Sequence, residues 1–398
     1  MEHVHCIILG AGVSGMACAA KATANGAKVM VIDHARKPLR KLLITGGGKC
    51  NITNRNVLPE HYLSGNPSFT RSALTRFTPA NLLRMLEDAG IPLEEREEGQ
   101  IFCKRTSEDV RNWLVAGAGA AAFQLGGRIH AVTREQDMFV VRGEAGEATA
   151  PHLVLALGGP AWPQTGASAY GFSLAKQFGH SVVPPRAALV GLHLPKNSPL
   201  LGLAGMSLPV TLSLTNPGEK KSLPVAQNLS LLFTHTGVSG PAALQASLYC
   251  QPGAELVCNF LPDTSVDALW DAPESGKTLV KNRLRGLLPA RLVEALLPPA
   301  LAEKRIAETS RKDRDMLTSL CTRFPLSPTG NEGFRKAEAC AGGVNTHEIS
   351  SKTMESTKMP GLYVCGELLD VTGRLGGYNL HWALASGFAA GEVIKTNE

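Results

Sequence analysis

One short run near the N-terminus constrains this chain more than any other feature: Gly10-x-Gly12-x-x-Gly15, entered from the apolar stretch Val4 to Leu9 and leaving into the small residues Met16 to Asn25. The first glycine permits a tight turn from strand to helix, the second lets a pyrophosphate approach bare backbone, and the third lets the helix pack close on the strand. The helix start then offers unpaired N–H groups and a partial positive charge to an anion. Gly26 stops the helix, Lys28 to Ile32 reads as a second strand, and Asp33 ends it where a carboxylate can accept the hydroxyls of an adenosine ribose. The unit is a βαβ fold element built for a dinucleotide. Similar letters recur at Gly117-Ala-Gly119-Ala-Ala-Ala122, but these read as the inside of a helix and are given no cofactor.

At 398 residues the chain exceeds the size at which one core stops growing, so two or three lobes are expected, and 44% hydrophobic residues can fill them. The opening Met1-Glu-His-Val-His-Cys runs straight into a strand and lacks the pattern of a secretory signal. The least charged stretch, Leu114 to Gly127, is shorter than the roughly 20 residues a membrane span needs. A cytoplasmic protein without a membrane partner is expected. The nine cysteines are odd in number and form no C-x-x-C pair, so neither a disulfide framework nor a metal site is expected.

The texture changes after Pro184-Pro185. Strand-like segments at Leu189–Leu194, Leu208–Leu214, Leu229–Phe233 and Leu256–Phe260 suggest a β-rich lobe over 187–272. Lys277–Leu297 and Ala300–Phe324 read as helices of a second inserted lobe over 273–339, and Phe77–Trp113 reads as mainly helical, broken at Gly90-Ile-Pro92. The dinucleotide domain then comprises 1–186 and 340–398, closing with a buried strand at Gly361–Gly366 and a helix at Asn379–Ile394. The net charge of +6 is concentrated in the helical lobe, where ten basic residues face five acidic ones between Ser275 and Asp315. A solvated helix face explains such a cluster; so does a phosphate-contacting surface, for which Lys277, Lys281, Arg283, Arg285, Arg291, Arg311, Lys312 and Arg314 are the candidates.

A second glycine run, Arg40-Lys41-Leu-Leu-Ile-Thr45-Gly46-Gly47-Gly48-Lys49-Cys50-Asn51-Ile-Thr53-Asn54, strips side chains from a loop, as a flat ring or a pyrophosphate lying on backbone requires. Together with Phe233-Thr-His235-Thr-Gly-Val-Ser-Gly240-Pro241, Gly342-Gly343-Val344, Thr353-Met-Glu-Ser356 and Gly366-Glu367-Leu-Leu-Asp370 through Gly376-Gly377-Tyr378-Asn379-Leu380, it resembles the HI0933/YhiN-like family of FAD-dependent oxidoreductases over essentially the whole chain. The resemblance implies an α/β protein with a glutathione-reductase-like FAD-binding Rossmann domain, an inserted β-rich lobe and a helical lobe. It assigns Gly10, Gly12, Val13, Ser14, Gly15, Asp33 and His34 to the ADP half of FAD. Lys41, Gly46, Gly47, Gly48, Cys50, Asn51, Gly158 and Gly159 fall beside the flavin, and Gly366, Glu367, Asp370, Gly376, Gly377, Tyr378, Asn379 and Leu380 along the ribityl chain and ring. Two positions depart from the family pattern: Leu157 replaces a threonine, and His381 stands where glutamine is expected.

FAD carries the hydride chemistry in such proteins. The inserted lobes contain no second G-x-G-x-x-G after a strand, so NAD(P)H is expected as a transient donor rather than in a dedicated domain. The resemblance offers three substrate classes: uridine in ribosomal RNA, a bile-acid ring, and amines. The basic cluster favours reduction of a uridine in 23S ribosomal RNA to dihydrouridine; a small-molecule ene-reductase, an amine oxidase and a non-enzymatic FAD-binding module are the alternatives. Cys50 is either the proton donor or a small residue packed under the ring, and His235 is the reserve acid.

Overall fold

The computed structural model describes residues 2–271 and 275–396, which form two compact units. The first holds the chain up to Ala187 and again from Glu338; the second holds Ala188–Ala337.

In the first unit, β1 (Cys6–Leu9) and β2 (Val29–Asp33) are apolar runs buried on both faces, as central parallel strands must be. α1 (Val13–Ala24) joins them, and Gly15 lets it sit so close that a Cβ there would collide with the Gly10 carbonyl. β3 (Ala122–Leu125), β4 (His152–Leu155) and β5 (Leu362–Val364) complete a parallel sheet in the order β5-β4-β1-β2-β3, with Leu9 opposite Ile32 on one side and Leu155 on the other. α2 (Tyr378–Val393) crosses α1, and Gly387 and Gly391 stand where side chains would strike the Ser14 and Cys18 carbonyls. This is the Rossmann arrangement, with its ligand crevice at the carboxyl ends of the strands.

Two local expectations are corrected here. The region expected to be helical from Phe77 to Trp113 contains the helices Pro79–Asp88 and Ser107–Gly117, but Leu93–Glu95 and Gln100–Cys103 between them are strands that pair with each other and, through Gln100–Cys103, with Asn51–Asn54. The Gly117–Ala122 letters lie across the end of one helix and the start of β3, not inside a helix.

The chain leaves the first unit along Val182–Ala188 and returns along Ala339–Val344, two strands that pair. The second unit carries a seven-stranded sheet in the order Phe324–Pro325, Glu255–Asn259, Ser207–Thr215, Leu223–Phe233, Gly237–Ser239, Leu192–His193, Gly330–Asn331. Its expected long helices are four shorter ones, Val280–Leu284, Ala290–Leu296, Pro299–Ala302 and Arg311–Thr322, because Pro289 and Pro298 cannot continue a helix. The expected lobe boundary at 272/273 falls outside the described residues. The strands and helices around it share one core, in which Val210, Leu212 and Phe233 belong to the same cluster as Val280, Leu292 and Leu317.

Candidate cofactor site

The first unit presents two helix starts without side-chain caps. At α1 the Ncap is Gly12 in extended conformation, no side chain caps it, and the first turn carries no acidic residue. Its leading N–H groups therefore remain free for an anion. No atom lies within 4 Å of where a Gly12 side chain would stand, so the space in front of this helix is open. Asp33 is held beside it by two backbone donors, Ala11 N to Oδ2 and Ala35 N to Oδ1, each at 2.7 Å. The half-exposed His34 ring approaches the same carboxylate at 3.5 Å. An adenosine diphosphate fits these donors and this acceptor.

The triple glycine forms a broken turn, with Gly46, Gly47 and Gly48 all at positive φ and open space in front of Gly47. Cys50 follows at φ 53 with its thiol wholly enclosed, bonded to the Thr45 side chain and close to Cys103. Burial pushes its pKa up to about 12. Of the two roles expected for Cys50, the enclosed geometry matches packing; the thiol faces no open space through which it could hand over a proton. Asn51 binds Gln100 at 2.8 Å and lies against Gly377.

The C-terminal glycines meet the N-terminal ones. A side chain at Gly366 would strike Ser14, whose neighbour Val13 opens α1, and Gly366 itself is fixed by its N–H to Ser386 Oγ (3.0 Å) and by Trp382 Nε1 to its carbonyl (3.2 Å). Ser386 and Trp382 escaped the sequence reading; their i, i+4 spacing on α2 is the signal that places them on one face. Glu367 forms an ion pair with Lys41 at 2.9 Å and accepts the Cys340 N–H at 2.7 Å, beside Gly158 and Gly159. Asp370 accepts the Gly65 N–H at 2.9 Å, and burial raises its pKa. Gly376 and Gly377 turn at positive φ into α2, whose Ncap, Gly377, is again uncapped by any side chain. Tyr378 packs edge-on to His61 and Tyr62, Asn379 bonds both backbone groups of Gly373 (2.8 and 3.0 Å), and Leu380 is half-buried.

His381 is an internal pin. Its Nε2 donates to the Phe77 carbonyl at 3.0 Å, which leaves Nδ1 to accept from Thr53 Oγ1 at 2.8 Å. Burial holds its pKa down at about 4, so the ring is neutral.

The other candidates lie in the second unit. His235 is exposed on a turn that closes through Thr234 and Gly237 without help from the imidazole. Five of the eight proposed phosphate contacts are engaged within the protein. Lys281 pairs with Glu303, Arg285 with Glu294, Arg283 binds the Ala268 and Leu269 carbonyls, Arg291 the Gly202 carbonyl, and Arg314 stacks over Trp270. Lys277, Arg311 and Lys312 are exposed and without a hydrogen bond or ion pair among the described residues.

The profile of the HI0933-like protein Rossmann domain matches residues 4–393. The chain belongs to the HI0933-like family. Members of this Rossmann-type FAD-binding family with similar sequences include proteins named ribosomal RNA dihydrouridine synthase from Escherichia coli and Haemophilus influenzae, each 39% identical, covering 99% and 98% of this chain and 98% of each relative. A 3-dehydro-bile acid delta(4,6)-reductase from Clostridium scindens is 29% identical over 97% of this chain and 98% of its own length. The HI0933-like chain described here has no helix among the described residues that is long and apolar enough to cross a membrane.

Proposed function

We propose that this protein is a cytoplasmic FAD-dependent reductase that converts a uridine of 23S ribosomal RNA to dihydrouridine, with NAD(P)H as a transient donor. The observation that carries the reading is near-complete alignment, at 39% identity, with two relatives named for that reaction.

Gly10, Gly12, Val13, Ser14 and Gly15 with Asp33 and His34 would hold the ADP half of FAD. Lys41, Gly46 to Gly48, Cys50, Asn51, Gly158 and Gly159 would line the ring side, and Gly366, Glu367, Asp370 and Gly376 to Leu380 would line the ribityl side. Bound FAD would supply hydride for one carbon of a polarised double bond. The chain's own residues hold the ligand against bare backbone at the glycines, neutralise its phosphates at the α1 N-terminus, and fix polar groups at the recess where Lys41 meets Glu367. His235, on its exposed turn, stays the reserve acid of this reading.

A uridine inside folded RNA must leave its stack, at a cost of a few kcal/mol, and phosphate contacts offset this. Lys277, Arg311 and Lys312 are the cations free to make them; the remaining five candidates, Lys281, Arg283, Arg285, Arg291 and Arg314, would first have to release an internal partner. The bile-acid reductase supports a second reading, since it too is named for reducing ring double bonds. Mass spectrometry of rRNA nucleosides from cells with and without the gene decides between them. Loss of ribosomal dihydrouridine on deletion, restored by purified protein with NAD(P)H, is the expected result; unchanged dihydrouridine would favour the small-molecule substrate.

A further inference from the structure

Glu338 lies outside every motif discussed so far, immediately before the strand Ala339–Val344. In extended chain, residues i and i+2 point to the same side, so its carboxyl shares a face with the Cys340 thiol. That face is polar. The Cys340 thiol feels the charges of Glu367, Lys41 and Arg186 and packs against Gly159. Lys41, already 2.9 Å from Glu367, also acts on the Glu338 carboxyl. One ammonium thus serves two carboxylates, at the glycines that follow β4, in the crevice where open α/β sheets bind their ligands.

The two carboxylates are unequally supported. Glu367 has the salt bridge and the Cys340 N–H, whereas Glu338 has no hydrogen bond among the described residues. With one positive charge between them, the less supported carboxyl is the one that keeps a proton. Crowding by protein pushes its pKa up, with Lys41 opposing, and yet the residue remains exposed. It can therefore be refilled from water.

We propose that Glu338 is the proton source of this site, with Lys41 and Glu367 as its positioning pair. The proposal rests on the reductase reading above. Two electrons and one hydrogen arrive as hydride at one carbon of the substrate double bond. The Glu338 carboxyl gives its proton to the neighbouring carbon, its charge as a carboxylate is steadied by Lys41, and a solvent proton restores it.

The test uses the FAD-loaded protein and its variants Glu338→Gln and Glu338→Asp. The glutamine variant should keep its FAD and be reduced by NAD(P)H at the wild-type rate. Its reoxidation by rRNA should slow on the order of 100-fold or more, and the alkaline decline of the wild-type pH profile should vanish; aspartate should restore part of both. Independently of any substrate, infrared difference titration should show a protonated-carboxyl band that survives above the ordinary glutamate range and is missing from Glu338→Gln. An unchanged band, or a glutamine variant with wild-type reoxidation and pH profile, overturns the proposal. If the wild-type protein fails to reduce rRNA, the substrate reading falls, and the infrared titration still judges Glu338.

Discussion

Replacing His381 by leucine tests what keeps the glycine motifs in register. The variant leaves the Phe77 carbonyl without its imidazole donor and leaves the Thr53 hydroxyl with a 3.4 Å contact to the Asn54 carbonyl alone. Each buried polar group deprived of its partner costs about 1–3 kcal/mol. With leucine regaining part of this through apolar burial, a loss of about 2–4 kcal/mol is expected near pH 8. A second signature lies in the pH dependence. The folded protein holds this imidazole at about 4, below the ordinary 6.5, and so favours the neutral ring. That preference stabilises the wild type fully above pH 6.5 and is lost as the pH falls through 6.5 toward 4, a difference of about 3 kcal/mol. Leucine has nothing to protonate, so the deficit seen near pH 8 should shrink on acidification and nearly close at pH 4. Urea unfolding followed by tryptophan fluorescence, on a Trp270→Phe background that leaves Trp113, Trp162 and Trp382 as reporters of the first unit, measures both quantities. A deficit below about 1 kcal/mol, or one that stays constant from pH 8 to pH 4, would refute the pinning role.

Gly12→Val should fold normally, since nothing occupies the space beyond Gly12, yet emerge without flavin absorbance, whereas Gly15→Ala should be poorly soluble because its methyl meets the Gly10 carbonyl. Cys50 should resist iodoacetamide in the native protein near pH 8, and Cys50→Ser should keep FAD and turnover; rapid alkylation would place the thiol at an open surface. Neutralising Lys277, Arg311 and Lys312 together should lower the log–log salt slope of RNA binding by about 2, with stability unchanged. Neutralising Lys281, Arg283 and Arg285 should instead lower the urea midpoint of the second unit, because those side chains hold Glu303, the Ala268 carbonyl and Glu294.

The βαβ unit was legible because its constraints are local: three glycines at fixed offsets and an aspartate at the end of the next strand. The strands at 93–103 were not, since the charges Glu94 to Glu98 break the alternation that marks a strand, and their partner is Asn51–Asn54, far away in sequence. The breaks at Pro289 and Pro298 were readable from proline chemistry and were overridden by the apolar spacing around them. Other features are tertiary. That Cys50 turns inward depends on a left-handed backbone that its neighbours impose, and that His381 binds Thr53 depends on how α2 meets a strand more than 300 residues earlier. Nor does a count of charges reveal that Lys281 and Arg285 have found carboxylates.

The close crossing of α1 and α2 at Gly387 and Gly391 bears on how the chain is made. The two helices come from either side of an insertion of about 150 residues, so a ribosome releases α1 and four of the five sheet strands well before their last partners exist. Until Leu362–Val364 emerges, β4 has an open edge, and until Val393 emerges, the flank of α1 that receives those glycines is bare. Bridging so long a flexible gap costs on the order of 4 kcal/mol, and an insertion that folds first, leaving and returning along paired strands, shortens it. Translation pausing upstream of Leu362 would therefore expose an edge strand to aggregation and leave the nascent chain unable to capture flavin, however much cofactor the cell contains.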